Sequence, residues 1–199
     1  MISVIMSVYN GEKYLSLTIE SILNQTYPHL EFIVVDDAST DGTPDLLFEF
    51  QSLDQRLLIT RNPCRQGLTK SLNRAISLAK GDWIARQDAD DISLPDRFQK
   101  QLAFMETQPE VAVVGGWCQL IDSEGAVQAV LEYPTSPALI RQELFIRTTF
   151  CHGAVLIRRA CLEKSGSYRE LFETSQDRDL WLRLSEHYPL SNLSEILYQ

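Results

Sequence analysis

Residues 2–37 read ISVIMSVYNGEKYLSLTIESILNQTYPHLEFIVVDD and contain the first strand, helix and second strand of a predicted α/β fold. Two short apolar runs rich in β-branched residues, ISVIMSVY and LEFIVVDD, are typical of strands buried on both faces, as in a parallel sheet. Between them apolar residues recur at helical spacing, and Asn10 is the predicted N-cap of that helix. The stretch therefore predicts a β-α-β unit whose two strands are parallel.

The alternation of strands and helices continues through the first 121 residues. Thr43 is the predicted N-cap of a second helix with Pro44 at its first position. Ser93 and Asp96 have the spacing of a capping box before a later helix. Apolar runs predict further strands in RLLIT, DWIARQ and VAVVGGWCQLI. This order predicts an α/β fold with a mostly parallel central sheet flanked by helices.

Beyond VAVVGGWCQLI the pattern predicts a hairpin or an irregular excursion, a helix near residues 137–146, and a strand in GAVLIRR. Ser175 is the predicted N-cap of the last helix, which puts Asp177 on the buried face of its first turn. Asp179 is expected to pair with Arg183 on the outer face. The final residues SEILYQ predict a strand with no turn after it, so we expect the complete protein to continue.

The composition argues against several classes of protein. A chain of 199 residues can bury one substantial core, so we predict a single domain over residues 1–199. The net charge of −9 argues against nucleic acid as the main partner. We find no transmembrane run and no secretory signal, and therefore expect a cytoplasmic protein, with peripheral membrane association left open. The four cysteines lack CxxC spacing and are expected to be free thiols.

Polar side chains follow three of the predicted strands. Because parallel strands present their carboxyl ends at one edge of a sheet, Tyr9, Asp37 and the DADD acids at 88–91 should converge. Asp88 and Asp90 can share one Mg²⁺ or Mn²⁺, since both ions prefer hard oxygen ligands. A solvated turn is the alternative for these acids. Asp37 can accept hydrogen bonds from a nucleobase or a ribose, with a capping turn as the alternative. The GxGxxG fingerprint is absent after the first strand, which argues against a dehydrogenase.

Three blocks of the chain resemble glycosyltransferase family 2. They are ISVIMSVYNGEKYLSLTIESILNQTYPHLEFIVVDDASTDGT (residues 2–43), GLTKSLNRAISLAKGDWIARQDADDISLPDRF (67–98) and SQDRDLWLRL (175–184). The resemblance implies the glycosyltransferase-A fold, a Rossmann-like nucleotide-diphospho-sugar transferase fold. It also implies inverting transfer of a sugar from a nucleoside-diphosphate donor, UDP being the common carrier, to a saccharide or other hydroxyl acceptor. Residues 1–120 would form the nucleotide-sugar-binding half and residues 121–199 the acceptor-facing half.

The same resemblance implies roles for individual residues. Asp37 would contact the base of the donor, with Tyr9 lining that pocket. Asp90 would hold the metal ion, Mg²⁺ or Mn²⁺, and Asp88 would lie nearer the donor ribose. Asp177 aligns with the catalytic base of the family; a helix-start carboxylate stabilised by the helix dipole is the alternative.

Three further positions carry alternatives. Gln176 replaces the acid that precedes the base in the family, so the role of that acid is in doubt here. His152 could reach the metal, the diphosphate or the acceptor, or it could be a core histidine with satisfied hydrogen bonds. Arg65 lies in the NPCRQGL turn, where family members contact the base or phosphates, and surface solvation is the alternative. A sugar-1-phosphate nucleotidyltransferase and a catalytically silent nucleotide-binding module are the rival functions.

Overall fold

The computed structural model describes residues 1–172 and 174–199. Eight strands in these residues form one sheet: β1 (Ile2–Val8), β2 (Leu30–Asp36), β3 (Leu57–Arg61), β4 (Trp83–Arg86), β5 (Val113–Ile121), β6 (Val127–Leu131), β7 (Leu156–Arg158) and β8 (Leu190–Tyr198). The helices described are α1 (Leu15–Leu23), α2 (Thr43–Leu53), α3 (Leu68–Leu78), α4 (Arg97–Thr107), α5 (Pro137–Glu143), α6 (Arg159–Ser165) and α7 (Gln176–Ser185). A 3₁₀ turn spans His152–Ala154.

The sheet order is β3-β2-β1-β4-β7-β5-β6, and β8 pairs with β5. The four strands from β3 to β4 are parallel to their neighbours. Beyond them, β7 is antiparallel to both β4 and β5, and β5 and β6 form the predicted antiparallel hairpin. β8 runs parallel to β5. The predicted α/β fold is confirmed, and the antiparallel pairs lie in the half of the sheet that includes the C-terminal strands.

Helices cover both faces of this sheet because its central strands are apolar on both. In β1, Ile5 belongs to a core cluster that includes residues of α3 and α7, whereas Val4 and Met6 belong to a second cluster with α1 and α4. All three side chains are fully buried. Burying an aliphatic side chain of this size contributes about 1.5–3 kcal/mol. The two clusters fix the rim formed by the strand ends. All four cysteines are free, as predicted.

The predicted N-cap residues of the first two helices are wrong. Asn10 adopts a left-handed φ of 53°, and its Oδ1 accepts a hydrogen bond from the Thr40 amide at 2.8 Å. Asn10 therefore joins two loops across the sheet edge, and α1 begins five residues later. Thr43 lies inside α2, whose N-cap is Gly42. The Thr43 hydroxyl accepts from the Gly11 amide at 2.8 Å.

The predicted capping box is also wrong, because Ser93 is not at a helix start. Residues 92–94 pair with the end of β8: Ser93 bridges to Tyr198, and the Leu94 amide donates to the Leu197 carbonyl at 2.9 Å. This extended segment delays α4 until Arg97. At the last helix Ser175 is the N-cap residue, without a side-chain capping bond.

Asp179 does pair with Arg183, at 3.0 Å, but its side chain is not on the outer surface. It is only 12% exposed. Arg169, 3.3 Å away, approaches the same carboxylate. The two arginines therefore enclose Asp179 between α7 and the preceding loop.

Candidate functional site

The ends of β1, β2 and β4 form one rim of the sheet. Parallel pairing aligns Val8 with Asp36 and Ile5 with Arg86. The Asp37 amide donates to the Val8 carbonyl at 2.8 Å, which continues this pairing past the strand ends. The loops that follow the three strands therefore start side by side, as the strand order predicted.

Asp37 lies at the bottom of the first part of this rim and organises the 62–67 loop. It is 2% exposed, and it accepts hydrogen bonds from the Asn62 side chain at 2.7 Å and from the Gln66 and Gly67 amides at 2.8 Å each. Burial raises its pKa, but these donors outweigh burial and hold the pKa below 3.8. Gly67 has a φ of +88°, which disfavours any residue with a Cβ. The carboxylate is therefore ionised and already occupied by the loop.

Tyr9 and Arg65 form a wall above this loop. The Arg65 guanidinium carbon lies 4.1 Å from the centre of the Tyr9 ring, a cation–π distance. Tyr9 is 39% exposed, and Arg65 is exposed as well. Because the Gln66 amide next to Arg65 binds Asp37, the three predicted residues Tyr9, Asp37 and Arg65 lie in one group.

The 88–91 turn forms the second part of the rim, and its backbone is held from outside. The Thr18 hydroxyl of α1 donates to the carbonyls of Ala89 and Asp91 at 3.0 and 2.9 Å. The Gln87 side chain also donates to the Asp91 carbonyl, at 2.9 Å. Asp90 is exposed and Asp88 half-buried. The turn therefore presents carboxylates toward solvent while neighbouring side chains fix its backbone.

The charges in this turn are only partly compensated. Burial and the nearby carboxylates of Asp88 and Asp90 raise the pKa of Asp91 to about 7. Asp88 behaves differently: burial raises its pKa, but the charge of Arg86 and its hydrogen bond more than offset that effect and lower the pKa below 3.8. In the described part of the chain, Asp88 is thus paired with the buried cation of Arg86, whereas Asp90 and Asp91 have no ion-pair partner.

Mg²⁺ or Mn²⁺ suits this donor set. Both ions favour carboxylate oxygens and retain sites for water or phosphate oxygens. Among residues 1–172 and 174–199, no cluster of three or more acidic, histidine or cysteine side chains forms a complete cage. One or two carboxylates of the turn would therefore hold an ion whose remaining ligands come from elsewhere.

Two buried arginines, which were not predicted from the sequence, lie beneath the turn. Arg86 is 1% exposed and donates from Nη2 to Asp88. Arg97 is fully buried and donates to the Arg86 carbonyl at 2.9 Å and the Ser93 hydroxyl at 2.8 Å. The sequence did contain a signal for Arg86, since it ends the apolar strand run DWIAR. Arginine is rarely fully buried without a partner, so an arginine at that position indicates a nearby acidic side chain.

Tyr198 connects the last strand to the turn, a second contact that the sequence interpretation missed. Its side chain is 1% exposed, and its hydroxyl accepts a hydrogen bond from the Asp88 amide at 2.9 Å. The contact joins residues 110 positions apart, so no local pattern could reveal it.

The third group comes from the C-terminal half. His152 Nε2 lies 2.8 Å from the Tyr168 hydroxyl, and the His152 ring meets Trp181 of α7 edge-on, with the ring centres 6.2 Å apart. Burial and the neighbouring Arg86 lower the pKa of His152 to about 3, so the ring is neutral at physiological pH. His152 is therefore a hydrogen-bonded, largely enclosed histidine beside the rim.

α7 places Asp177 one helical turn before Trp181, the residue whose ring meets His152. Asp177 is half-buried in the first turn of α7. Burial raises the pKa of the Tyr168 hydroxyl well above 10; Arg86 acts in the opposite direction, while the carboxylates of Asp177 and Asp88 raise it further. Both carboxylates therefore lie within electrostatic range of the buried Tyr168 hydroxyl, which His152 contacts. The strand order predicted the meeting of the strand ends, and α7 lies beside His152 next to them.

A family model described as glycosyl transferase family 2 matches residues 3–166. The chain belongs to glycosyl transferase family 2. The predicted family and its enzyme class are confirmed. Within this family, the O-antigen biosynthesis glycosyltransferase WbnJ of Escherichia coli is 36% identical over 201 residues, covering 99% of this chain and 78% of WbnJ.

Solved structures show the same fold at lower sequence identity. TarS of S. aureus in complex with UDP has a TM-score of 0.81 and 22% identity, covering 99% of this chain and 59% of the TarS chain. The mannosyltransferase PcManGT of Pyrobaculum calidifontis, in complex with GDP-Man and Mn²⁺, has a TM-score of 0.75 and 21% identity, covering 98% of this chain and 55% of that one. This glycosyltransferase family 2 chain therefore spans less than two thirds of either solved chain. None of its described helices combines the length and apolar character needed to cross a bilayer.

Proposed function

We propose that this family 2 chain is an inverting glycosyltransferase that moves a sugar from a nucleoside-diphosphate donor to an acceptor hydroxyl. One observation supports the proposal: the loops that carry Asp37 and the 88–91 turn start side by side at one edge of the sheet, and α7, which carries Asp177, contacts His152 through Trp181. A nucleotide, its diphosphate and an acceptor need such consecutive subsites. Residues 1–120 would bind the donor, and residues 121–199 would face the acceptor.

The donor base binds between Tyr9, Arg65 and the 62–67 loop. Asp37 acts mainly by holding that loop, since three hydrogen bonds already occupy its oxygens. Tyr9 offers an aromatic face for stacking, and Arg65 supplies a cation near the phosphates. UDP is the proposed carrier, supported by the UDP complex of TarS, whereas the GDP-Man complex of PcManGT keeps GDP as the alternative.

Asp90 holds a divalent cation, Mn²⁺ or Mg²⁺, and Asp88 lies toward the donor ribose. Support comes from the exposed carboxylate of Asp90, the fixed backbone of its turn and the Mn²⁺ in the PcManGT complex. When bound, such an ion neutralises charge on the diphosphate leaving group, an effect worth several kcal/mol. The Asp88 carboxylate, anchored on Arg86, orients donor hydroxyls beside it.

Asp177 is the proposed general base. The acceptor oxygen forms a bond to the anomeric carbon on the face opposite the diphosphate, the bond from that carbon to the diphosphate breaks, and the acceptor proton passes to Asp177. A positioned base of this kind contributes about 10²- to 10⁴-fold in rate. Attack from the opposite face inverts the anomeric centre. Neutral His152 can donate or accept a hydrogen bond nearby, but it does not bring a positive charge to the site.

The proposed acceptor is a saccharide hydroxyl, which places the chain in polysaccharide biosynthesis. The O-antigen biosynthesis glycosyltransferase WbnJ supports this substrate class, because it matches nearly the whole chain at 36% identity. We propose a cytoplasmic site of action, with peripheral membrane association as the alternative.

A panel of nucleotide sugars tests the proposed donor. Each is added with Mn²⁺, and unfolding is followed by thermal shift, because a ligand at 100 times its Kd stabilises the native state by about 2.7 kcal/mol. The ligand that binds is then incubated with enzyme, and release of nucleoside diphosphate is measured. Binding without release would favour a catalytically silent module. Release of nucleoside triphosphate on addition of pyrophosphate would favour a nucleotidyltransferase.

A further inference from the structure

Arg86 occupies a position in which a charged side chain is costly. It ends β4, where Ile84 and Ala85 are fully buried, and it is itself 1% exposed. Its amide donates to the Val155 carbonyl at 3.0 Å, and its carbonyl accepts from Arg97 at 2.9 Å. Both backbone polar groups of Arg86 are thus hydrogen-bonded. Taking a cation out of water costs several kcal/mol unless a counter-charge compensates it.

The described part of the chain offers Arg86 one acceptor. Nη2 donates to Asp88, whereas Nε and Nη1, both buried, have no hydrogen-bond partner in residues 1–172 and 174–199. Asp88 is also the one carboxylate in ion-pair contact with Arg86 among these residues. Asp88 is two residues further along the chain, and its side chain is 35% exposed. The buried guanidinium of Arg86 is therefore paired with a partly exposed carboxylate of the proposed donor site.

Arg97 shows what a structural arginine looks like in the same layer. Its guanidinium donates to carbonyls, a hydroxyl and amide oxygens from several elements, including Ser93 and Val155. Arg97 therefore joins α4 to β4 and to the residue that precedes β7. Arg86 makes no comparable set of contacts, and Asp88 is the one side chain that pairs with its guanidinium in the described residues. Its value to the protein must come through Asp88.

We propose that Arg86 is a positioning residue, which fixes the Asp88 carboxylate in the orientation needed to bind the donor together with its divalent cation. This inference rests on the proposed function, because it takes Asp88 as a donor-binding residue. Partners one contact removed from a metal or ligand site typically affect affinity or activity by about 10- to 100-fold. Arg86 belongs to that class, and it does not touch the substrate.

A double-mutant cycle tests the inference. The variants are Arg86→Met, Arg86→Lys, Asp88→Asn and the Arg86→Met/Asp88→Asn double variant. Calorimetry measures the Kd for whichever of UDP, GDP, dTDP and CDP the wild-type protein binds most tightly, once with Mn²⁺ and once with EDTA. The ratio of the two Kd values isolates the part of binding that depends on the metal. A loss of packing alone would change both values together.

Arg158→Met is the matched control. Arg158 pairs with Trp83 at the opposite end of β4, donates to the Val111 and Met105 carbonyls, and lies far from the turn. Removing it costs some stability without changing the Mn²⁺-dependent ratio.

We expect Arg86→Met to reduce the Mn²⁺-dependent gain in affinity by about 10- to 100-fold, with the affinity in EDTA close to wild type. Arg86→Lys should lose less, since it keeps the charge but not the guanidinium geometry. If Arg86→Met does not fold, Arg86→Lys carries the same comparison. In the Asp88→Asn background, Arg86→Met should have little further effect, because residues that act through one contact are not additive.

Three results would overturn the inference and leave the proposed function standing. The first is that the Arg86 variants bind nucleoside diphosphate like wild type while Asp88→Asn binds it weakly. The second is that the affinity losses of the two single variants add in the double variant, and the third is that Arg86→Met loses as much affinity in EDTA as in Mn²⁺. If Asp88→Asn itself binds like wild type, the assignment of Asp88 under the proposed function is wrong, and the inference is wrong with it. A wild-type protein that gains no affinity from Mn²⁺ would overturn the proposed metal site and this inference together.

Discussion

Replacing Asp37 by asparagine tests the role of its carboxylate in holding the nucleotide-side loop. The two oxygens accept three N–H groups, from Asn62, Gln66 and Gly67. Asparagine has nearly the same shape but presents one oxygen and one NH₂ group. In either amide orientation at least one of the three donors then faces another donor.

The expected cost follows from these three hydrogen bonds. A buried donor left without an acceptor costs about 1–3 kcal/mol. Each remaining bond falls from the charged to the neutral range, a loss of about 1 kcal/mol. The sum is on the order of 3–5 kcal/mol of unfolding free energy. For a chain of this length about 1 kcal/mol lowers the Tm by roughly 2–4 °C, so we expect Asp37→Asn to unfold about 10 °C below wild type.

Chemical denaturation at several pH values measures this difference. The folded-state pKa of Asp37 lies below 3.8, so its stabilising contribution is complete above pH 3.8 and is lost as the pH falls through the folded-state value. The difference in unfolding free energy between wild type and Asp37→Asn should therefore be constant from about pH 5 to 8 and decrease only below pH 3.8. Asp45→Asn, at an exposed carboxylate in the first turn of α2, is the control and should cost less than about 1 kcal/mol. Equal stability of wild type and Asp37→Asn at pH 7 would refute the reasoning.

The remaining predictions concern the 88–91 turn and α7. Asp90→Ala should abolish the gain in nucleoside-diphosphate affinity on adding Mn²⁺, measured by calorimetry with and without EDTA; an unchanged gain would remove Asp90 as the metal ligand. Asp177→Asn should bind donor normally and transfer sugar about 10²- to 10⁴-fold more slowly; near-normal turnover would exclude it as the base. Tyr198→Phe removes the acceptor of the Asp88 amide, so hydrogen exchange of that amide should accelerate by up to about tenfold, and an unchanged rate would contradict this contact.

The parallel half of the sheet could be predicted because its signals are local. Each strand from β1 to β4 is a short apolar run, and each is followed by an apolar pattern of helical period. The parallel direction of the strands then follows from the β-α-β rule. The convergence of Tyr9, Asp37 and the DADD acids could be predicted from the order of strands and helices alone, because each group follows the end of a parallel strand.

The parts that failed depend on contacts between distant segments. Ser93 has the sequence of a helix start, yet pairing with Tyr198 holds it extended. Asn10 has the sequence of an N-cap, yet its side chain bonds to the Thr40 amide in the next loop. The 3-residue strand β7 runs antiparallel between β4 and β5, and nothing in GAVLIRR specifies that direction. Local propensity cannot predict a partner that lies tens of residues away in the sequence.

The structure also bears on the choice between a metal site and a solvated turn for Asp88 and Asp90. In a solvated aspartate turn, the carboxylates accept hydrogen bonds from their own backbone and so hold the turn together. The exposed Asp122 does this, accepting from the Glu124 amide at 2.9 Å and the Ala126 amide at 3.0 Å. In the 88–91 turn the backbone is instead held by Thr18, Gln87 and Tyr198. Because other side chains hold the backbone of this turn, the Asp90 carboxylate is available for a ligand. The metal-site hypothesis therefore explains the position of Asp90 better than a capping role does.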